Sequence, residues 1–147
     1  MSPETNSEVN VQQAVPFFWV SNMESSLRFY VEGLGFAMKY KWEVESKVRW
    51  CWLEIGNAAL MLQEYRPADL ERAQIAGKFG NGVSIYFTCK DALGIYRDVT
   101  ARGIKTREPF VGNHMWVVGM KDPDGYAIEF ESWTDVAEET KYSEWKG

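Results

Sequence analysis

VPFFWVSNMESSLRFYVEGLGF, residues 15–36, opens on an apolar run and passes through Ser21-Asn22 into a helical pattern. Leu27, Tyr30, Val31 and Leu34 stand at i, i+3, i+4 and i+7, one face of a helix that Asn22 caps and that stops near Gly33 or Gly35. The same order returns further on. Phe87-Thr88-Cys89-Lys90, then Leu93 and Ile95-Tyr96, then Gly103-Ile104 repeat it at an offset of 66 (Leu27 to Leu93) to 68 (Gly35 to Gly103) residues.

Each copy is followed by strand patterns. After the first, strands are predicted at 36–44, 47–55 and 58–64, the last two joined by Gly56-Asn57, with the opening strand at 15–20. In the second copy a strand at 83–88 leads to a helix capped by Asp91 and running to about Arg102. A short strand at 104–107 and strands at 115–120 and 126–131 follow, the last pair flanking the turn Asp122-Pro123-Asp124-Gly125. The charged stretch 65–80 between the copies reads as a linker with a short helix from Pro67. The chain is therefore α+β, two tandem βαβββ modules at 14–64 and 82–131 within one domain, 14–132. Residues 1–13 read as an N-terminal arm and 133–147 as a C-terminal tail.

Composition narrows the function. With 147 residues, 46% of them hydrophobic, the chain is long enough for a core without a structural metal or disulfides. Cys51 and Cys89 form no CxxC pair and suit reduced thiols. Sixteen basic against 21 acidic residues give a net charge of −5, which argues against a nucleic-acid partner. No apolar run is long enough to span a membrane and the polar start lacks the pattern of a secretory signal, so the expected location is the cytoplasm. Aromatic residues make up 15% of the chain, including 7 Trp.

The run at 15–36, the turn Lys121-Asp122-Pro123-Asp124-Gly125 before Tyr126-Ala127-Ile128-Glu129-Phe130, and the tandem plan resemble the vicinal-oxygen-chelate superfamily. That superfamily comprises glyoxalases, extradiol dioxygenases, fosfomycin-resistance enzymes and bleomycin-resistance proteins. The resemblance covers about 14–131 and implies a half-open barrel. It also implies where a metal would be held: at Val15, about Met61, Gly82 and Glu129, of which only Glu129 is a ligand type. Gln63 or Glu64 would add a second donor at most, and His114 falls in the loop Gly112-Asn113-His114, off these positions. No metal and no cofactor are therefore expected. The segment Ala14-Val15-Pro16 resembles the metal-free bleomycin-resistance branch, which implies a homodimer with ligand grooves at its interface.

Period-2 alternation assigns the strand faces independently of any resemblance. Phe18, Val20, Cys51, Leu53, Leu60, Leu62, Phe87, Ile128 and Phe130 turn toward the helices. Phe17, Trp19, Trp50, Trp52, Met61, Tyr86 and Glu129 fall on the opposite, concave faces and form the expected ligand-binding set, with no residue assigned a catalytic role. Such a mixture suits a planar, apolar or cationic guest, through stacking, cation–π attraction and a carboxylate. Two readings stay open at each point: the aromatics line a ligand cavity or fill an interface, and Glu129 meets the ligand or pairs with Arg49 or Arg107. The Asp122 turn reads as a β-turn rather than a calcium loop, since no liganding Glu stands at loop position 12. The expected function is metal-independent sequestration of an aromatic or cationic, bleomycin-like compound. The alternatives are a glyoxalase-like lyase, isomerase or dioxygenase using Glu129, and a plain interaction module.

Overall fold

The computed structural model describes residues 9–145, so most of the expected N-terminal arm and the last two residues lie outside the described residues. Two four-stranded mixed sheets, ordered β1-β4-β3-β2 and β5-β8-β7-β6, each form half of the molecule, and neither closes. The first contains β1 (Phe17–Val20), β2 (Ala37–Val44), β3 (Lys47–Ile55) and β4 (Ala58–Glu64). The second contains β5 (Ser84–Thr88), β6 (Phe110–Gly112), β7 (Met115–Lys121) and β8 (Ala127–Trp133). In both, the opening strand pairs in parallel with the last strand of its module, and the remaining pairs are antiparallel.

Local chemistry places the helices. Asn22 is extended and its side chain accepts from the Ser25 amide at 2.9 Å, starting α1 (Met23–Leu27). The helix then widens to π geometry over Arg28–Gly33, where the Leu34 amide donates to the Phe29 carbonyl five residues back, and Gly35 ends it at φ 88°. In the linker, Pro67 opens α2 (Pro67–Ala76), which buries none of its residues. Asp91 caps α3 (Ala92–Ala101) by accepting from the Gly94 amide at 3.0 Å. No helix among the described residues is long and apolar enough to cross a membrane.

The helix-facing sides of both sheets share one core. Phe18 stacks on Tyr126 with centroids 4.1 Å apart, Phe36 meets Phe87 edge-on at 5.7 Å, and Val20, Leu53, Leu60, Val118 and Ile128 are fully enclosed. Gly33 lets the first helix approach the second module closely, since a Cβ there would lie 2.6 Å from Ile104 Cδ1, and its carbonyl accepts from Arg102 at 2.8 Å.

The Asp122 turn is the polar fastener between modules. Asp122 is 4% exposed and accepts from the Asp124 and Tyr126 amides at 2.9 Å and from the Tyr30 hydroxyl of α1's π-helical extension at 2.7 Å. Asp124 in turn accepts from the amide and hydroxyl of Ser21. Burial pushes the Asp122 carboxyl up, while these donors act in the opposite direction.

One segment differs from the sequence expectation. Residues 104–107 form no strand; the second strand of the second module, β6, begins only after Pro109, which has no N–H to give to a ladder. Within 104–107 the Arg107 amide alone reaches β7, donating to Gly119 O at 2.8 Å. The residues read as a C-terminal tail run along β6, where the Val111 amide donates to Thr140 and Phe110 bridges to Lys141. Tyr142 and Trp145 then pack on Trp116.

Replacing Tyr30 by Phe removes one donor from a buried carboxylate and leaves the ring in place. The expected cost is about 1–3 kcal/mol in a urea melt. A Tyr30→Phe variant as stable as the parent would show that Asp122 does not depend on this hydroxyl.

Candidate functional site

The concave face of the first sheet carries two rows of side chains, set by strand register. Phe17 pairs with Met61, Met61 with Trp52 and Trp52 with Tyr40; two residues along, Trp19 pairs with Gln63, Gln63 with Trp50 and Trp50 with Trp42. Neighbouring strands are about 4.8 Å apart and successive same-face residues about 7 Å apart, so six rings, a thioether and an amide tile one platform.

The platform is open. Phe17 and Trp19 are 41% and 43% exposed, Tyr40 and Trp42 both 54%, and Trp50, Trp52 and Met61 are partly buried. Several rings are held in place by their neighbours. Phe17 and Trp19 centroids lie 5.5 Å apart, Tyr40 meets Trp52 edge-on at 6.3 Å, and the Trp52 indole N–H donates to Glu54 at 2.9 Å. That bond, with Lys39 at 3.4 Å, holds the Glu54 carboxyl below its ordinary range. Glu54 lies at the margin of the platform, next on the same face of β3 after Trp52.

Five of the seven expected site residues, Phe17, Trp19, Trp50, Trp52 and Met61, are thus brought together. Tyr86 and Glu129 pair with each other on the second sheet. The chain joins its modules through their helix-facing sides, so these two lie apart from the five. Tyr40 and Trp42 were not anticipated. Strict alternation from core-facing Met38 would put Tyr40 on the helix side, but the register shifts between Met38 and Tyr40 and turns it outward. Their cross-strand pairing with Trp52 and Trp50 is a signal that emerges only once that bulge is known.

Glu129 is 5% exposed and its carboxylate is engaged by Arg107. Of the two states open to it, the paired one is found. Burial raises the Glu129 carboxyl, with Arg107 and Lys121 drawing it down. Gly119, its register partner on β7, makes room for the pair: a Cβ there would overlap the Arg107 guanidinium and lie 2.6 Å from Glu129 Oε2. Arg107 also lies over the Phe110 ring at 5.7 Å. The sequence leaves Arg107 and Arg49 as equal candidates, because the contact joins a loop to a strand 22 residues away.

The divalent ion of related enzymes does not fit these residues. Val15 and Met61 lack donors of the required type, Gly82 precedes β5 at φ 83°, and Glu129 is engaged through Oε1 by the Arg107 guanidinium. Among the described residues no three of His, Cys, Asp and Glu converge. His114 sits on the β6–β7 turn at φ 65°, beside Glu138 and Trp133. Cys51 and Cys89 are free thiols; burial pushes the Cys51 thiol up to about 11.

The model of the glyoxalase/bleomycin resistance protein/dioxygenase superfamily matches residues 12–130. A "Probable lactoylglutathione lyase" of Vibrio cholerae serotype O1 is 31% identical over 119 residues, covering 75% of this chain and 82% of that one. Among solved structures, TnmS3, an antibiotic binding protein from Streptomyces sp. CB03234, superposes with a TM-score of 0.63 at 20% identity, over 84% of this chain and 98% of that one. A glyoxalase/bleomycin resistance protein/dioxygenase from Nocardioides gives 0.62 at 19% identity, over 92% and 93%. At these identities the superpositions speak for the fold alone.

Gly119→Ala is expected to push the guanidinium off Glu129 and to destabilise the chain by about 1–3 kcal/mol in denaturant unfolding. The loss should shrink in Gly119→Ala/Glu129→Gln, where no buried charge is stranded. Equal losses in the two variants would assign the effect to backbone crowding instead.

Proposed function

The chain belongs to the glyoxalase/bleomycin resistance protein/dioxygenase superfamily, and within it we propose that the protein is a metal-independent binder that sequesters a small aromatic compound. The observation that carries this reading is the two-row platform, Phe17–Met61–Trp52–Tyr40 beside Trp19–Gln63–Trp50–Trp42. A planar guest laid on it gains stacking on several rings at once, each worth about 0.5–1.5 kcal/mol beyond area burial. A cationic substituent is drawn to the indole faces. Glu129 takes no part in that attraction, being already paired with Arg107. Sequestration is an equilibrium, so no group needs a reactive role.

The finer parts of the reading follow from the same face. Exposed rings on one open sheet favour coverage by a second copy of the chain, whose second module would bring its Tyr86 over the guest in a homodimer groove. One such binding domain spans 14–132, with its halves at 14–64 and 82–131. The two free thiols suit a reducing compartment, the cytoplasm. TnmS3, by name an antibiotic binding protein, supports an antibiotic-like guest.

A glyoxalase-like lyase is the second reading, favoured by the 31% identity to the Vibrio cholerae protein. Against it stands the donor set, in which Glu129 alone is of ligand type and is already bound to Arg107.

Tryptophan fluorescence during a bleomycin titration in excess chelator tests the first reading, because the platform carries its own reporters. Saturable quenching is expected, weakened about tenfold in Trp50→Ala and in Trp52→Ala with the fold retained. Wild-type quenching in both variants would remove the platform as the site. Stoichiometric divalent metal with turnover that vanishes in Glu129→Gln would replace sequestration by the lyase.

A further inference from the structure

Beside Glu129, and sharing no residue with the aromatic rows, a cleft of about 650 Å³ opens between the loop 103–107 and the ends of β5, β7 and β8. Phe29, Ile104 and Met120 supply apolar wall, and three cations, Lys105, Arg107 and Lys121, line it. Its two carboxylates are both buried and both engaged, Glu129 by Arg107 and Asp122 by Tyr30 and two backbone amides.

The charge count is therefore uneven. Lys105 and Lys121 are exposed and make no ion pair among the described residues. The Arg107 side chain remains 57% exposed, so Glu129 engages the guanidinium without covering it. Two unpaired ammonium groups and one oriented guanidinium thus share a cleft in a chain of net charge −5. The hydroxyls of Ser84 and Thr106, also in the wall, are neutral donors for the same kind of guest.

We propose that this cleft binds the oxyanion of a small organic molecule, a carboxylate or phosphate monoester, whose apolar part rests against Phe29 and Ile104. The site goes beyond the aromatic platform and is independent of it. Glu129 serves there as a positioning residue, holding Arg107 toward the ligand.

The test uses three ring compounds that differ in charge, benzoate, phenyl phosphate and benzylammonium, titrated at constant ionic strength and followed by amide NMR. Both anions are expected to shift the amides of residues 105–107 and 119–121 saturably, and the cation is not. The tighter anion identifies the headgroup. In Lys105→Gln/Lys121→Gln, which removes two exposed and unpaired charges, anion affinity should fall at least about tenfold with an unchanged melting temperature. Benzylammonium acting on the same amides as strongly as benzoate, or wild-type anion affinity in the double variant, would overturn the proposal. Because the readout is the 105–121 amides and not tryptophan emission, such a failure leaves the platform reading standing.

Discussion

A four-stranded sheet has two faces, and each module of this protein carries one helix against its sheet. The apolar side chains that point toward the helices, among them Val20, Leu53, Leu60, Leu62, Phe87 and Ile128, find cover in a single core shared by both modules. Each such side chain contributes about 1.5–3 kcal/mol on burial. That arrangement uses both helices and both inner faces, and it leaves both outer faces to whatever binds there. The exposed rings of the first sheet are the direct consequence: Phe17, Trp19, Tyr40 and Trp42 each lie more than 40% open on a continuous surface.

The two buried carboxylates of the second module show how differently such a group is accommodated. Asp122 faces the core and is satisfied by neutral donors, one of them from the other module, so it fastens the halves together. Glu129 faces outward and is satisfied by a guanidinium, so its pairing presents Arg107 at the surface. At Glu129 this chain places an internal ion pair, and the absent side chain of Gly119 supplies the room for it. The charge offered to a guest on that sheet is consequently positive.

Much of this was legible beforehand because strands alternate with a period of two and the repeat supplies each pattern twice. The faces of β1, β3, β4 and β8 follow alternation, and the caps Asn22 and Asp91 act as their residue types suggest. Alternation fails in β2, where one irregular step near Lys39 moves Tyr40 and Trp42 to the platform. The stretch Ile104-Lys105-Thr106-Arg107 resembles a strand, yet Ile104 is held against Gly33 and the chain pairs regularly only beyond Pro109. The aromatic residues Tyr142 and Trp145 have no local partner; Trp116, which they cover, lies more than 25 residues away.

By itself the sequence determined the α+β class, the two βαβββ modules, the helix starts and the gathering of Phe17, Trp19, Trp50, Trp52 and Met61 on one face. The helix starts and strand faces follow from capping and periodicity within about ten residues, and the two modules from the repeat at an offset of 66 to 68. Only the tertiary structure decided that Glu129 pairs with Arg107 and that Tyr40 and Trp42 complete the rows. Those outcomes depend on a bulge and a loop path, which are settled by contacts between residues remote in sequence.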